Sequence, residues 1–172
     1  MRSRSRNITV CAVMTAVGLI LGYIETFIVI PVNIPGIRVG LANISTLITL
    51  YMCGPVYALS VHIVRILMSS VLFGSGATLI YSMCGGIFAF GAMMVLKRLD
   101  FGIYGVSVGG AVFHNLGQTA VAAVLMGNPY VFAYMPALAT AGCVFGLITG
   151  ALSNIIIKRL DHFIVSEREG SI

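Results

Sequence analysis

Long apolar runs, interrupted by short clusters of glycine, proline, arginine or lysine, set the rhythm of this chain. A helix needs about 20 apolar residues to cross the hydrocarbon core of a bilayer. The runs predict six helices, at about 8–30, 41–53, 55–73, 77–96, 104–126 and 133–157. The second is short for a full span and ends at Gly54-Pro55, where Pro55 suits the first turn of the next helix. Gly74-Ser75-Gly76 and Asn128-Pro129 mark turns at the ends of the third and fifth helices.

The most irregular stretch is Pro31-Val32-Asn33-Ile34-Pro35-Gly36-Ile37-Arg38-Val39-Gly40-Leu41-Ala42-Asn43. Prolines supply no N–H and glycines open backbone angles closed to other residues, so neither flanking helix runs through it. The stretch is nevertheless largely apolar, unlike a solvated loop. Irregular backbone near a bilayer is tolerated where protein buries it or where it lines a cavity. This makes the stretch a candidate lid, with Pro31, Pro35, Gly36 and Gly40 shaping it. The plainer reading is an external connector.

Composition turns these runs into a fold class. Hydrophobic residues make up 59% of the chain and charged residues 9%, and mean hydropathy is +1.04, so no water-soluble surface can be built. The expected fold is all-α, a single polytopic membrane bundle of six transmembrane helices over residues 1–172. Arg2, Arg4, Arg6, Lys97, Arg98, Lys158, Arg159 and Arg168 all fall on one side of that bundle, with Arg38 opposite and Arg65 within the membrane. The positive-inside rule then places both termini in the cytoplasm. The net charge of +5 reflects these helix-end cations and implies no nucleic-acid partner. The apolar run from Ile8 to Ile30 is long for a signal peptide and lacks an A-x-A site, which predicts a retained first helix.

Small residues predict where helices approach closely: Ala12-x-x-x-Ala16 and Gly18-x-x-x-Gly22 on the first helix, and Gly142, Gly146 and Gly150 on the sixth. Cys11, Cys53, Cys84 and Cys143 stand singly, without metal-ligand spacing, and read as packing residues.

The candidate chemistry lies in the few polar groups inside the spans. Counted from the outer ends at 1.5 Å per residue, Glu25 lies at about 7 Å, Arg65 and Gln118 at about 12 Å and His114 at about 18 Å. These groups, with Asn115, can share an outward-facing cavity, and Arg38 and Asn43 flank its mouth. Glu25, Arg38, Asn43, Arg65, His114, Asn115 and Gln118 are therefore the candidate substrate-binding residues. The alternative is that Glu25 and Arg65 pair with each other while His114 and Asn115 cross-link helices. His62, three residues before Arg65, reads as a packing residue. There is no G-x-x-x-x-G-K-[ST] loop, Asp100 and Asp161 are isolated, and no nucleophile elbow occurs. No catalytic residue, cofactor or metal is expected.

At Glu25, Pro31, the run Ile34 to Asn43, Arg65 and His114-Asn115-Leu116-Gly117-Gln118, the chain resembles the bacterial Gx transporter family, also catalogued as heptaprenyl diphosphate synthase component I. The resemblance spans about residues 8–157, and the basic residue of the first motif, often lysine in the family, is Arg38 here. Those proteins are in turn similar to the S components of energy-coupling factor transporters. That similarity implies six helices, a first external loop acting as a lid, and a small-x-x-x-small patch that docks a transmembrane coupling subunit, matched here by Ala12 and Ala16. It implies a substrate-binding subunit for uptake of a small, vitamin-like molecule in the bacterial plasma membrane, among lipid, with energy from separate ATPase subunits. Two other functions fit the residues: a non-catalytic membrane partner in heptaprenyl diphosphate or quinone synthesis, and a subunit of a membrane redox complex. Arg38, Arg65 and His114 favour a substrate with an anionic or acceptor-rich part, and the apolar walls favour a vitamin-like or prenylated ring.

Overall fold

The computed structural model describes residues 2–25, 27 and 40–169, with the side chains of 4–25, 27 and 40–160. Pro31, Pro35, Gly36 and Arg38, assigned to the lid and its mouth, lie outside the described residues.

All regular structure among the described residues is helical: α1 (Arg2–Glu25), α2 (Asn43–Met52), α3 (Pro55–Phe73), α4 (Gly76–Arg98), α5 (Ile103–Met126), a 3-10 helix (Pro129–Tyr134) and α6 (Met135–Glu169). Among the described residues, five segments are long and apolar enough to cross a membrane: Arg4–Glu25, Pro55–Phe73, Gly76–Arg98, Ile103–Met126 and Pro129–Leu160. The expected second span is shorter than the rest. At ten residues, α2 reaches only about 15 Å, half the hydrocarbon thickness.

The elements start and stop for local reasons. Gly54, at φ 93°, turns the chain between α2 and α3, and Pro55 opens α3 where a missing N–H costs nothing. Ser75 caps α4 by accepting a hydrogen bond from the Thr78 N–H at 3.3 Å. Gly127 ends α5 in the left-handed region, and Asn128 caps the 3-10 turn through its Oδ1, 2.9 Å from the Tyr130 N.

Polarity in this bundle is inverted relative to a soluble protein. Ser45, Thr46, Thr49 and Ser153 are fully buried, whereas Val56, Val71 and Val124 are 74, 76 and 80% exposed. Such a surface belongs in lipid. Inside lipid, helices gain little from apolar burial alone and associate by close packing and polar contacts. Both occur here. Gly85 and Gly117 let α4 and α5 meet backbone to backbone, while Gly142, Gly146 and Gly150 bring α6 onto Val112, Val108 and Tyr104 of α5.

α2 is the inner element, with every residue from Ile44 to Leu50 buried. Two of its hydroxyls bond locally, Ser45 Oγ donating to the Ala42 carbonyl at 2.9 Å and Thr49 Oγ1 to the Ser45 carbonyl at 2.7 Å. It runs antiparallel to α3, since Asn43 meets Arg65, Thr46 meets His62, and Leu50 shares a core cluster with Ala58. α1 runs parallel to α3, with Gly18 at the level of Arg65 and Cys11 at that of Tyr57. Leu47, Leu50, Ala58, Met93 and Val106 fill the half of the bundle where α2 ends. The half where α2 begins is left for polar groups.

Candidate functional site

The end of α1, the start of α2, the end of α3 and the start of α4 surround a pocket of about 850 Å³, open mouth included. All six α-helices contribute to its wall: Gly18, Gly22 and Glu25 from α1, Asn43 from α2, Arg65, Ile66, Ser69 and Phe73 from α3, Thr78 and Ser82 from α4, Ala111, His114 and Asn115 from α5, and Gly142 from α6. Gly40 and Ala42 complete it on the approach to α2.

Glycine creates part of this space. A Cβ at Gly18 would collide with Ser45 Oγ and the Arg65 side chain, so its absence lets Arg65 lie between α1 and α2. Gly22 lies beside Ala42, where an added Cβ would sit 3.6 Å from the alanine methyl.

Five of the seven sequence-predicted binding residues meet here: Glu25, Asn43, Arg65, His114 and Asn115. Arg65 is only 8% exposed. Its Nη2 donates to Asn43 Oδ1 at 3.0 Å and lies 3.4 Å from His62 Nδ1. The imidazole is held in turn by Thr46, whose Oγ1 is 3.1 Å from the same Nδ1. A four-residue chain thus passes from the pocket into the core: Asn43, Arg65, His62, Thr46.

Glu25 has another task. Its Oε1 accepts the Gly40 N–H at 2.7 Å, and Gly40 adopts φ 77°, with its carbonyl accepting the Asn43 N–H at 2.9 Å. The carboxylate therefore ties the end of α1 to the residue that leads into α2. Gly40, assigned to the lid, is the anchor at its α2 end.

Asn115 does cross-link helices, its Nδ2 donating to the Leu138 carbonyl of α6 at 2.9 Å, while also lining the pocket. Gln118 turns elsewhere. It is buried against Gly85 of α4 outside the pocket wall, and its Oε1 has no hydrogen-bond partner among the described residues. Ala12 and Ala16 lie on the exposed side of α1, at the end of the helix away from the pocket. Among the described residues, no three His, Cys, Asp or Glu side chains are grouped as a metal site requires.

His62, read as a packing residue, is buried outside the pocket wall, between Thr46 and Arg65. Sequence reasoning missed Ser69, Thr78 and Ser82, whose hydroxyls in apolar helices carry no distinguishing pattern, and Phe73, one apolar residue among many.

Residues 14–156 match the family model described as heptaprenyl diphosphate synthase component I. No curated protein and no solved structure matches the chain.

Proposed function

The chain belongs to the heptaprenyl diphosphate synthase component I family, and we propose that it is a substrate-binding membrane subunit of an energy-coupling factor type uptake transporter. The observation that carries this reading is a pocket to which all six α-helices contribute, with Glu25, Asn43, Arg65, His114 and Asn115 set among small, hydroxyl and apolar side chains. A few convergent polar groups in an apolar concavity are the signature of a small-molecule site.

In this reading the chain passes the bacterial plasma membrane six times, α2 and the segment before it together making the second pass. Both termini are cytoplasmic, and the pocket opens outward. The cations of Arg4, Arg6, Lys97, Arg98, Lys158 and Arg159 favour that orientation. The chain contributes binding and no catalysis. Energy comes from separate ATPases through a transmembrane coupling subunit that packs against Ala12 and Ala16, whose small side chains permit close approach.

The family description favours a second reading, a non-catalytic membrane partner of a prenyl diphosphate synthase. Purification from native membranes in mild detergent separates the two. The transporter reading expects a coupling protein and ATPases to co-purify, and Ala12→Leu or Ala16→Leu to abolish that association while small-molecule binding survives. Recovery of a soluble prenyl synthase subunit, with neither ATPase nor coupling protein, would replace the first reading with the second.

A further inference from the structure

We infer that Cys11 of α1 and Cys53 at the end of α2 form a thiol–disulfide couple, present as two thiols in this structure and closed to an intramolecular disulfide by a peroxide. This goes beyond the uptake reading and does not depend on it.

Helix register brings the two sulfurs together. α1 and α2 pack antiparallel, with Gly18 against Ser45 and Gly22 against Ala42. Seven residues before Gly18 stands Cys11, and the equal step along α2 from Ser45 reaches Met52, next to Cys53. Seven residues are close to two full turns, so Cys11 shares with Gly18 the side of α1 that faces α2. Contacts at this level agree. The Cys11 Sγ lies 4.0 Å from the carbonyl oxygen of Tyr57, four residues beyond Cys53. The charge of Cys53 is felt at Cys11, and that of Arg6, earlier on α1, is felt at Cys53.

The helices approach closely enough for a bond. An added Cβ at Gly22 would lie 3.6 Å from the Ala42 methyl, and a disulfide needs its Cβ atoms roughly 3.5–4.5 Å apart.

The setting suits reversible oxidation. Both thiols are half-buried rather than sealed. In the orientation that the helix-end cations favour they face the cytoplasm, where thiols are kept reduced. Burial raises the Cys53 thiol above its usual range and the Arg6 guanidinium opposes that shift, so little thiolate is present at neutral pH and the dithiol is the resting form.

Oxidation proceeds in two displacements. One thiolate attacks a peroxide oxygen, the O–O bond breaks, and a sulfenic acid forms while hydroxide takes up a proton and leaves as water. The second thiol attacks that sulfur, the S–S bond forms, the S–O bond breaks, and a second water leaves. The pair loses two electrons and two protons, which the peroxide accepts. Among the described residues of α1, Gly18 alone is buried, so the helix is held along a narrow stripe, and the disulfide adds a covalent tie at the end away from the pocket.

The test treats the full-length protein in its native membranes with hydrogen peroxide, blocks the remaining thiols with N-ethylmaleimide and maps an unreduced digest by mass spectrometry. The expected result is a cross-link between the peptides holding Cys11 and Cys53, lighter than the two free peptides by two hydrogens and reversed by dithiothreitol. The protein should remain a monomer in non-reducing electrophoresis, and the purified oxidised form should melt higher than the reduced one. Cys11→Ser or Cys53→Ser should abolish the cross-link and the rise in melting, whereas Cys84→Ser and Cys143→Ser should preserve both. Mapping of the wild-type protein decides even where a variant fails to fold. Recovery of Cys11 and Cys53 as maleimide adducts or as uncoupled sulfur acids, a cross-link between two copies, or an oxidised form that melts no higher overturns the inference and leaves the uptake reading standing.

Discussion

Gly117 and Gly91 sit in neighbouring helices, yet an added methyl meets different surroundings at each. At Gly117 a Cβ would lie 2.9 Å from Gly85 Cα and 3.0 Å from the Cys84 carbonyl oxygen, both backbone atoms that cannot turn aside. Gly117→Ala is expected to destabilise the protein by about 1–3 kcal/mol through overpacking. Nothing lies within 4 Å of a Cβ at Gly91, so Gly91→Ala should be neutral or stabilising by up to about 1 kcal/mol, alanine being the better helix former. Thermal melting in detergent compares the two. At Glu25, replacement by glutamine keeps an acceptor for the Gly40 N–H but removes its charge, with an expected loss of about 1 kcal/mol in the same assay. Much of the site was legible at this scale, because an ionisable residue inside an apolar run is rare enough to be noticed singly. The bond between Glu25 and the Gly40 N–H was not, since only the folded backbone brings that N–H to the carboxylate.

α2 shows what an element can hide. Its ten residues are too short to span a bilayer, and they are buried because the helix runs inside the bundle. Lys97 secures its far end, Nζ donating to the Leu50 carbonyl at 2.6 Å while lying 4.4 Å from the centre of the Tyr51 ring. Sequence position alone made Lys97 a stop signal, equivalent to its neighbour Arg98. Structurally the two differ, so Lys97→Met is expected to lower stability by about 1–3 kcal/mol and Arg98→Met, on the exposed surface, by less than about 0.5 kcal/mol. Helix existence was readable from apolar runs, but boundaries followed other rules. α1 begins at Arg2, ahead of the expected Ile8, and α6 continues past Lys158-Arg159 to Glu169. Charges locate the edge of the membrane, not the end of a helix, since arginine and lysine continue a helix well in water. At the start of α6, Pro129–Tyr134 winds as a 3-10 turn and the α-helix begins at Met135.

For the whole molecule, inside-out polarity is the property most firmly readable from composition, and the surface of exposed valines around buried serines and threonines accords with it. The meeting of α1, α2, α3 and α5 side chains in one pocket was readable only in outline, because depth along a helix follows from counting whereas the facing direction depends on packing partners. The central claim is that this pocket opens outward and holds a small molecule. Thr78 lines it near the start of α4 and is half-buried. In a background with Cys11, Cys53, Cys84 and Cys143 replaced by serine, Thr78→Cys should react with a membrane-impermeant maleimide added outside intact cells. The rate on purified protein should rise when the co-purified small molecule is removed by dialysis. Labelling only from the cytoplasmic side of inverted vesicles, or a rate indifferent to removal of the bound molecule, would contradict the account.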